Sequence, residues 1–157
     1  MACGEGSEPR PASTKESVAI VVRNSKGEFL AVKRADDDDS LPCVWGLPAA
    51  SLRGAETAEQ AVIRIGRQKL GIDLEISDLV GEDSEDRGQH CLHLAEYAVH
   101  VIRGEPSVPQ PDQSVSQYTA LQYTLDPGLL SEAARRGSLC CRIFLRSQGA
   151  GFTRQSG

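Results

Sequence analysis

Apolar positions along this chain fall into short β-branched runs, one helical stripe and two polar ends. Residues 17–23, SVAIVVR, form a continuous apolar run of the kind that makes a buried strand. The turn residues Asn24, Ser25, Lys26 and Gly27 separate it from EFLAVKR at 28–34. There Phe29, Ala31 and Lys33 alternate with Leu30, Val32 and Arg34, and the two runs together predict a β-hairpin. Residues 41–52 carry the single tryptophan, Trp45, and Pro42 and Pro48 predict irregular backbone there.

The helical stripe follows. Thr57 and Gln60 have the spacing of a capping box, in which hydroxyl and amide satisfy the free N–H groups of a helix start. At about 100° per residue, Ala58, Val62, Ile63, Ile65, Gly66 and Leu70 cover one arc. Gln60, Arg64, Arg67 and Gln68 lie opposite, and Gly71 predicts a left-handed stop with Ile72 packing back.

Beyond it, residues 74–80 predict a connecting strand, 81–88 an acidic turn and 89–103 the longest strand. The Pro-rich piece at 106–111 predicts an extended loop and 117–125 a further strand. Asp126-Pro127 signals a helix start, with Leu129, Leu130, Ala133 and Ala134 at helical spacing up to Gly137. Residues 138–147, SLCCRIFLRS, are apolar enough to dock as a final helix or strand. Residues 1–15 and 148–157 have little to bury and predict mobile tails around one domain at 16–147. A mixed sheet with helices on its faces follows, an α+β fold arranged as an α/β/α sandwich.

Composition narrows the function. With 157 residues, 39% hydrophobic and 25% charged, the chain suits one globular domain. A net charge of -5 excludes a general nucleic-acid binder, and no apolar run reaches the length of a membrane span or of a signal-peptide core. A cytoplasmic protein is expected. Cys3, Cys43, Cys91, Cys140 and Cys141 contain no C-x-x-C pair, which predicts reduced thiols rather than a disulfide framework. On a strand, His90 points away from Cys91 and His93, so ordinary strand residues are expected there rather than a zinc site. The acids at 36–39 predict a solvated loop, with cation binding as the sharper alternative.

Residues 45–72, WGLPAASLRGAETAEQAVIRIGRQKLGI, have a spacing that resembles the Nudix box. That box runs Gly, five residues, Glu, seven residues, Arg-Glu-apolar-x-Glu-Glu-x-Gly-apolar. Ala50 takes its first position, Glu56 the first acid, Arg64 the arginine, and Gly71 and Ile72 the final pair. Trp45-x-Leu47-Pro48 precedes it as in many members of the family. The resemblance implies a Nudix fold, with the box helix and a C-terminal helix packed on the sheet. It also implies a hydrolase for nucleoside diphosphates linked to another moiety, using Mg²⁺ or Mn²⁺ if active, with a homodimer as a frequent assembly.

The departures fall on the chemistry. Three box glutamates are replaced by Ile65, Gln68 and Lys69. On an α-helix these positions lie within about 100° of one another, where three carboxylates would make a hard oxygen cage. The replacements turn that patch from three negative charges into one positive, so metal-dependent pyrophosphohydrolysis is expected to be weak or lost. Glu56 is the retained acid and the remaining metal-ligand candidate. Glu96, on the long strand, is the candidate base, against a plain buried carboxylate paired with an arginine. Arg64 and Lys69 are candidates to receive a phosphate, against an Arg64–Glu56 ion pair. Gln68 and Trp45 complete the ligand-binding candidates; Trp45 is a possible stacking residue with Tyr97, Tyr118 and Tyr123, against a core role for all four. Two further readings stay open: a non-catalytic nucleotide- or anion-binding domain, and a self-associating structural protein using Cys140-Cys141 and the C-terminal segment.

Overall fold

The computed structural model describes residues 13–34, 43–108 and 118–148. The acidic loop at 36–39, most of both expected tails and the end of the Pro-rich loop lie outside the described residues.

Two sheets form the centre. The first has strand order β4-β1-β6-β5, built from β1 (Ser13–Val22), β4 (Ala49–Ser51), β5 (Asp73–Asp86) and β6 (His90–Arg103). The second has order β3-β2-β7, from β2 (Phe29–Arg34), β3 (Trp45–Gly46) and β7 (Tyr118–Thr124). β1 runs parallel to β6 and antiparallel to β4, while β5 and β6 form a long antiparallel pair. The expected α+β architecture holds, with the sheet divided in two.

β1 and β2 are not paired as a hairpin. A tight turn joins them: the Gly27 N–H donates to the Asn24 carbonyl at 3.0 Å, with Gly27 at φ 80°, where a side chain would be strained. Only the bridge Arg23↔Phe29 links the strands beyond it. β6 pairs along the whole of β1 and β4 pairs with Ser17–Ala19 on its other edge, while β2 belongs to the second sheet.

Alternation along β1 and β2 feeds two cores. Val18, Ile20, Val22, Leu30 and Val32 pack with Val62, Ile65 and Leu70 under the helix α1 (Ala58–Arg64) and its continuation. Ala19, Val21, Phe29 and Ala31 pack with Leu139, Ile143 and Phe144 of α3 (Leu139–Gln148) on the other side. A 3₁₀ turn (Pro127–Leu130) and the short α2 (Ser131–Arg135) lead into α3.

Several boundaries differ from expectation. Ser13, Thr14 and Lys15 extend β1, paired with His90, Cys91 and Leu92. β3 and β4 give regular structure to part of the segment expected to be irregular, and Pro48 falls between the two strands; Leu41 and Pro42 lie outside the described residues. The acidic stretch expected as a turn belongs to β5, because its carboxylates have partners: Glu82 meets His93, Asp83 meets Arg146, and Glu85 meets Arg142 and Arg87. Cys43, Cys140 and Cys141 are free thiols, whereas Cys91 is disulfide-bonded, which departs from the expectation of reduced thiols throughout. No helix among the described residues is long and apolar enough to cross a membrane.

Candidate functional site

The loop and helix at 45–72 form as their sequence dictates at both ends. Thr57 Oγ1 accepts the Gln60 N–H at 3.1 Å and Gln60 Oε1 accepts the Thr57 N–H at 2.9 Å, the reciprocal bonds of a capping box. Gly71 closes the other end at φ 73°. Between them the backbone is not uniform: after Arg64 it widens into a π-helix over Ile65–Leu70. Gly66 sits at the tightest point, where a Cβ would stand 2.8 Å from the Ile72 carbonyl and from Leu74. The missing side chain lets the start of β5 lie against the helix.

The residues at the three replaced box positions differ in exposure. Ile65 is fully buried in the α1-side core, Gln68 is exposed, and Lys69 is half-buried. The three positions thus differ in exposure along the widened turn, with Ile65 on its core side. Lys69 Nζ donates to the Ala49 carbonyl at 2.7 Å and stands 5.4 Å from the Tyr118 ring centroid. The Tyr118 hydroxyl accepts the Ala49 N–H at 3.3 Å. Lys69 and Tyr118 thus satisfy both backbone groups of Ala49 on β4, the outermost strand of its sheet.

Glu56 and Arg64 form the ion pair that competes with a ligand role for either. Arg64 Nε donates to Oε2 at 2.9 Å and Nη2 to Oε1 at 2.8 Å, while Nη2 also reaches the Ser51 carbonyl at 2.8 Å. The Arg53 N–H donates to Oε1 at 2.9 Å. The Arg64 hydrogen bond, opposed by partial desolvation and helped by Arg53, holds the Glu56 carboxyl down at about 2. A carboxylate this acidic, with both oxygens engaged, is a brace between the loop and α1 and a weak base.

Glu96 lies elsewhere. It aligns with Ala19 of β1 and Gly81 of β5, whose missing side chain faces Ile143 of α3 at 3.0 Å. Its side chain therefore points toward α3, through the sheet from α1, and the structure does not bring it to Glu56, Gln68 or Lys69. Glu96 is 0% exposed, and neither carboxylate oxygen has a hydrogen-bond partner. Burial, reinforced by nearby Cys140 and opposed by Arg146, pushes it up to about 9, so it is a neutral acid at pH 7. Among the described residues, the arginine ion pair weighed for it is absent.

Next to Glu96, the start of α3 gathers polar groups that local sequence does not announce. Ser138 Oγ lies 3.4 Å from Cys140 Sγ and accepts the Cys141 N–H at 3.4 Å. A hydrogen bond from Cys141 holds the Cys140 thiol down, with Ser138, the Arg34 charge and the Leu47 N–H adding to it, while Cys141 is pushed up. Ser138 and Cys140 line a cavity of about 330 Å³ that also touches Ala49, Ala50 and Ser51 of β4 and Leu92 and Leu94 of β6. Trp45, Tyr97, Tyr118 and Tyr123 pack in or against the two cores. His93 hydrogen-bonds Glu16 at 3.0 Å and Glu82 at 3.1 Å.

Comparison with known proteins follows the same geometry. The family model described as NUDIX domain matches residues 13–136. An uncharacterized Nudix hydrolase of Listeria monocytogenes is 34% identical over 74 residues, which is 46% of this chain and only 43% of that protein. The MutT protein of Methanosarcina mazei superposes with a TM-score of 0.65 at 18% identity, covering 87% of this chain and 94% of that one. A MutT Nudix hydrolase from Burkholderia pseudomallei gives a TM-score of 0.59 at 26% identity, over 71% of this chain and 82% of that one.

Proposed function

Because the chain belongs to the Nudix family, whose domain model matches residues 13–136, we propose that it binds or acts on a nucleoside diphosphate linked to another moiety, with metal-dependent pyrophosphohydrolysis weak or lost. The observation that carries this reading is the face of the box helix. Ile65 offers no ligand atom and is sealed in the core, Gln68 offers one neutral oxygen, and Lys69 places an ammonium on the Ala49 carbonyl. A divalent cation needs several oxygens, mostly carboxylate, and these residues do not fit one. Glu56 has both oxygens engaged by Arg64 and Arg53, and Glu96 faces α3. Among the described residues, no group of three or more His, Cys, Asp or Glu side chains could hold a metal ion.

The binding reading is favoured over turnover by that arrangement. Lys69 supplies a fixed positive charge at the edge of β4, and Arg64 braces the loop that leads to it. Release of inorganic phosphate or pyrophosphate from a nucleotide panel, with and without Mg²⁺ or Mn²⁺, tests the reading. The expected result is no metal-stimulated release, together with ligand-induced thermal stabilisation. Metal-stimulated turnover that disappears in a folded Glu56→Gln variant overturns it.

A further inference from the structure

The hydrogen-bond donors at the start of α3 converge on one sulfur. Ser138 Oγ accepts the Cys141 N–H at 3.4 Å and lies 3.4 Å from Cys140 Sγ, so its own hydrogen is left for that sulfur. The Leu47 N–H and the Cys141 thiol donate to the same atom. Cys140 is also the second residue of the ten-residue helix α3, among its free N–H groups and at the positive end of its dipole. Three donors at a helix start favour the thiolate, and they hold the Cys140 thiol below the ordinary range despite its burial.

Glu96 is the opposite case. It follows Leu92 and Leu94 on the same face of β6, and those two line the cavity together with Ser138 and Cys140. It is 0% exposed, and neither of its oxygens has a partner. A charge on Cys140 acts on Glu96, and a charge on Glu96 would act on Cys141. Two buried negative charges in one place repel, so the single charge settles where the donors are, on sulfur, and the proton stays on Glu96. A thiolate beside a partnerless acid has a nucleophile and a proton to give, and lacks only an electrophile that needs both.

We propose that Cys140 is a modification site, oxidised to a sulfenic acid by a hydroperoxide entering this cavity, with Glu96 supplying the proton. The sulfur electron pair attacks the hydroxyl oxygen of the hydroperoxide, the S–O bond forms and the O–O bond breaks. Sulfur is oxidised and the peroxide reduced. The departing oxygen takes the Glu96 proton and leaves as water, or as an alcohol from an organic hydroperoxide, and solvent then reprotonates Glu96. The cavity of about 330 Å³ admits hydrogen peroxide, whereas Cys140, only 4% exposed, is shielded from bulky oxidants. The site stands independently of the nucleotide reading.

A brief pulse of hydrogen peroxide on the full chain tests it. The pulse is quenched into denaturant containing dimedone and iodoacetamide, and each cysteine is read by tandem mass spectrometry, with the exposed free thiol Cys43 as internal reference. Dimedone adducts are expected on Cys140 about tenfold faster than on Cys43 at pH 7. The Cys140 rate should change less than about twofold between pH 7 and 8.5, where an ordinary thiol gains about tenfold. In Ser138→Ala and Glu96→Gln, each checked by thermal melting, Cys140 should react about tenfold more slowly with Cys43 unchanged. Ser138→Ala should regain a pH-dependent rate, because a donor to sulfur is lost, whereas Glu96→Gln should stay flat. Faster oxidation of Cys43 than of Cys140, an adduct on Cys141 in its place, or a wild-type Cys140 rate that climbs as an ordinary thiol's does overturns the proposal. Full-rate oxidation of Cys140 in Glu96→Gln overturns the part assigned to Glu96.

Discussion

The two sides of the β4-β1-β6-β5 sheet differ in where they keep their polar groups. Under α1, Val18, Ile20, Val22, Val62, Ile65 and Leu70 make a dry core, and the charged residues of the box helix are spent on fixed bonds: Glu56 with Arg64, and Lys69 with Ala49. Under α3, an apolar core of similar make-up contains an unpaired carboxyl, Glu96, and a pair of thiols beside a cavity lined by cations. The contrast teaches that a recognisable motif and a chemically poised region need not coincide. Reciprocal capping, an apolar stripe and a glycine stop are enough to build the helix, whereas a site needs polar groups left uncommitted.

The comparison is broken most severely by returning a carboxylate to the α1 side. Ile65→Glu restores a box residue but places a charge at a position that is 0% exposed. It is expected to cost about 4 kcal/mol or more in chemical denaturation. A stable Ile65→Glu protein would show that this position can still open toward solvent.

On the α3 side, Glu96→Gln tests the neutral acid. Its folded value of about 9 lies above the ordinary 4.5, so the contribution is complete below pH 4.5, where both states hold the proton. As pH rises from 4.5 to 9 the unfolded chain ionises and the folded one does not, and stability falls by about 1.4 kcal/mol per unit. Glu96→Gln removes that slope and is expected to stabilise the protein by about 3 kcal/mol at pH 7 and by little at pH 4.5. Parallel stability–pH curves for the two proteins would contradict the assignment.

Smaller effects sharpen the structural role of the box charges. Lys69→Met removes the donor to the Ala49 carbonyl and the contact with the Tyr118 ring, for an expected loss of about 1–2 kcal/mol in denaturant titrations. Glu56→Gln weakens the pair with Arg64, for about 1 kcal/mol near neutral pH. Glu56 is held at about 2 in the folded state, so its stabilisation is present above pH 4.5 and is lost as pH falls toward 2. The Glu56→Gln deficit should shrink over that window.

Much of the fold is legible in the sequence because it depends on local signals. Thr57 and Gln60, Gly71, Asn24 to Gly27, and the alternation of residues 28–34 each act within a few residues of themselves. What escapes is non-local. The pairing of β1 with β6 rather than β2, and the continuation of β5 through Asp86, are decided by partners tens of residues away. The π-helical turn at Ile65–Leu70 depends on Leu74 and the Ile72 carbonyl closing on Gly66. Helical spacing alone does not show that Ile65 is sealed in the core while Gln68 is exposed. The parity of β6 identifies Glu96 as a buried carboxyl, but only the register with Ala19 and Gly81 shows that it faces α3. Glu96, Ser138 and Cys140 carry no common motif, and only the folded topology brings them to one side of the sheet.

Titration of the protein with Mn²⁺, read by the electron paramagnetic resonance signal of the free ion, tests the central claim most directly. With Ile65 sealed in the core and Lys69 on the Ala49 carbonyl, equimolar protein should leave the free Mn²⁺ signal undiminished. A stoichiometric loss of signal that is reversed by Glu56→Gln would contradict the account and return the metal chemistry to the α1 side.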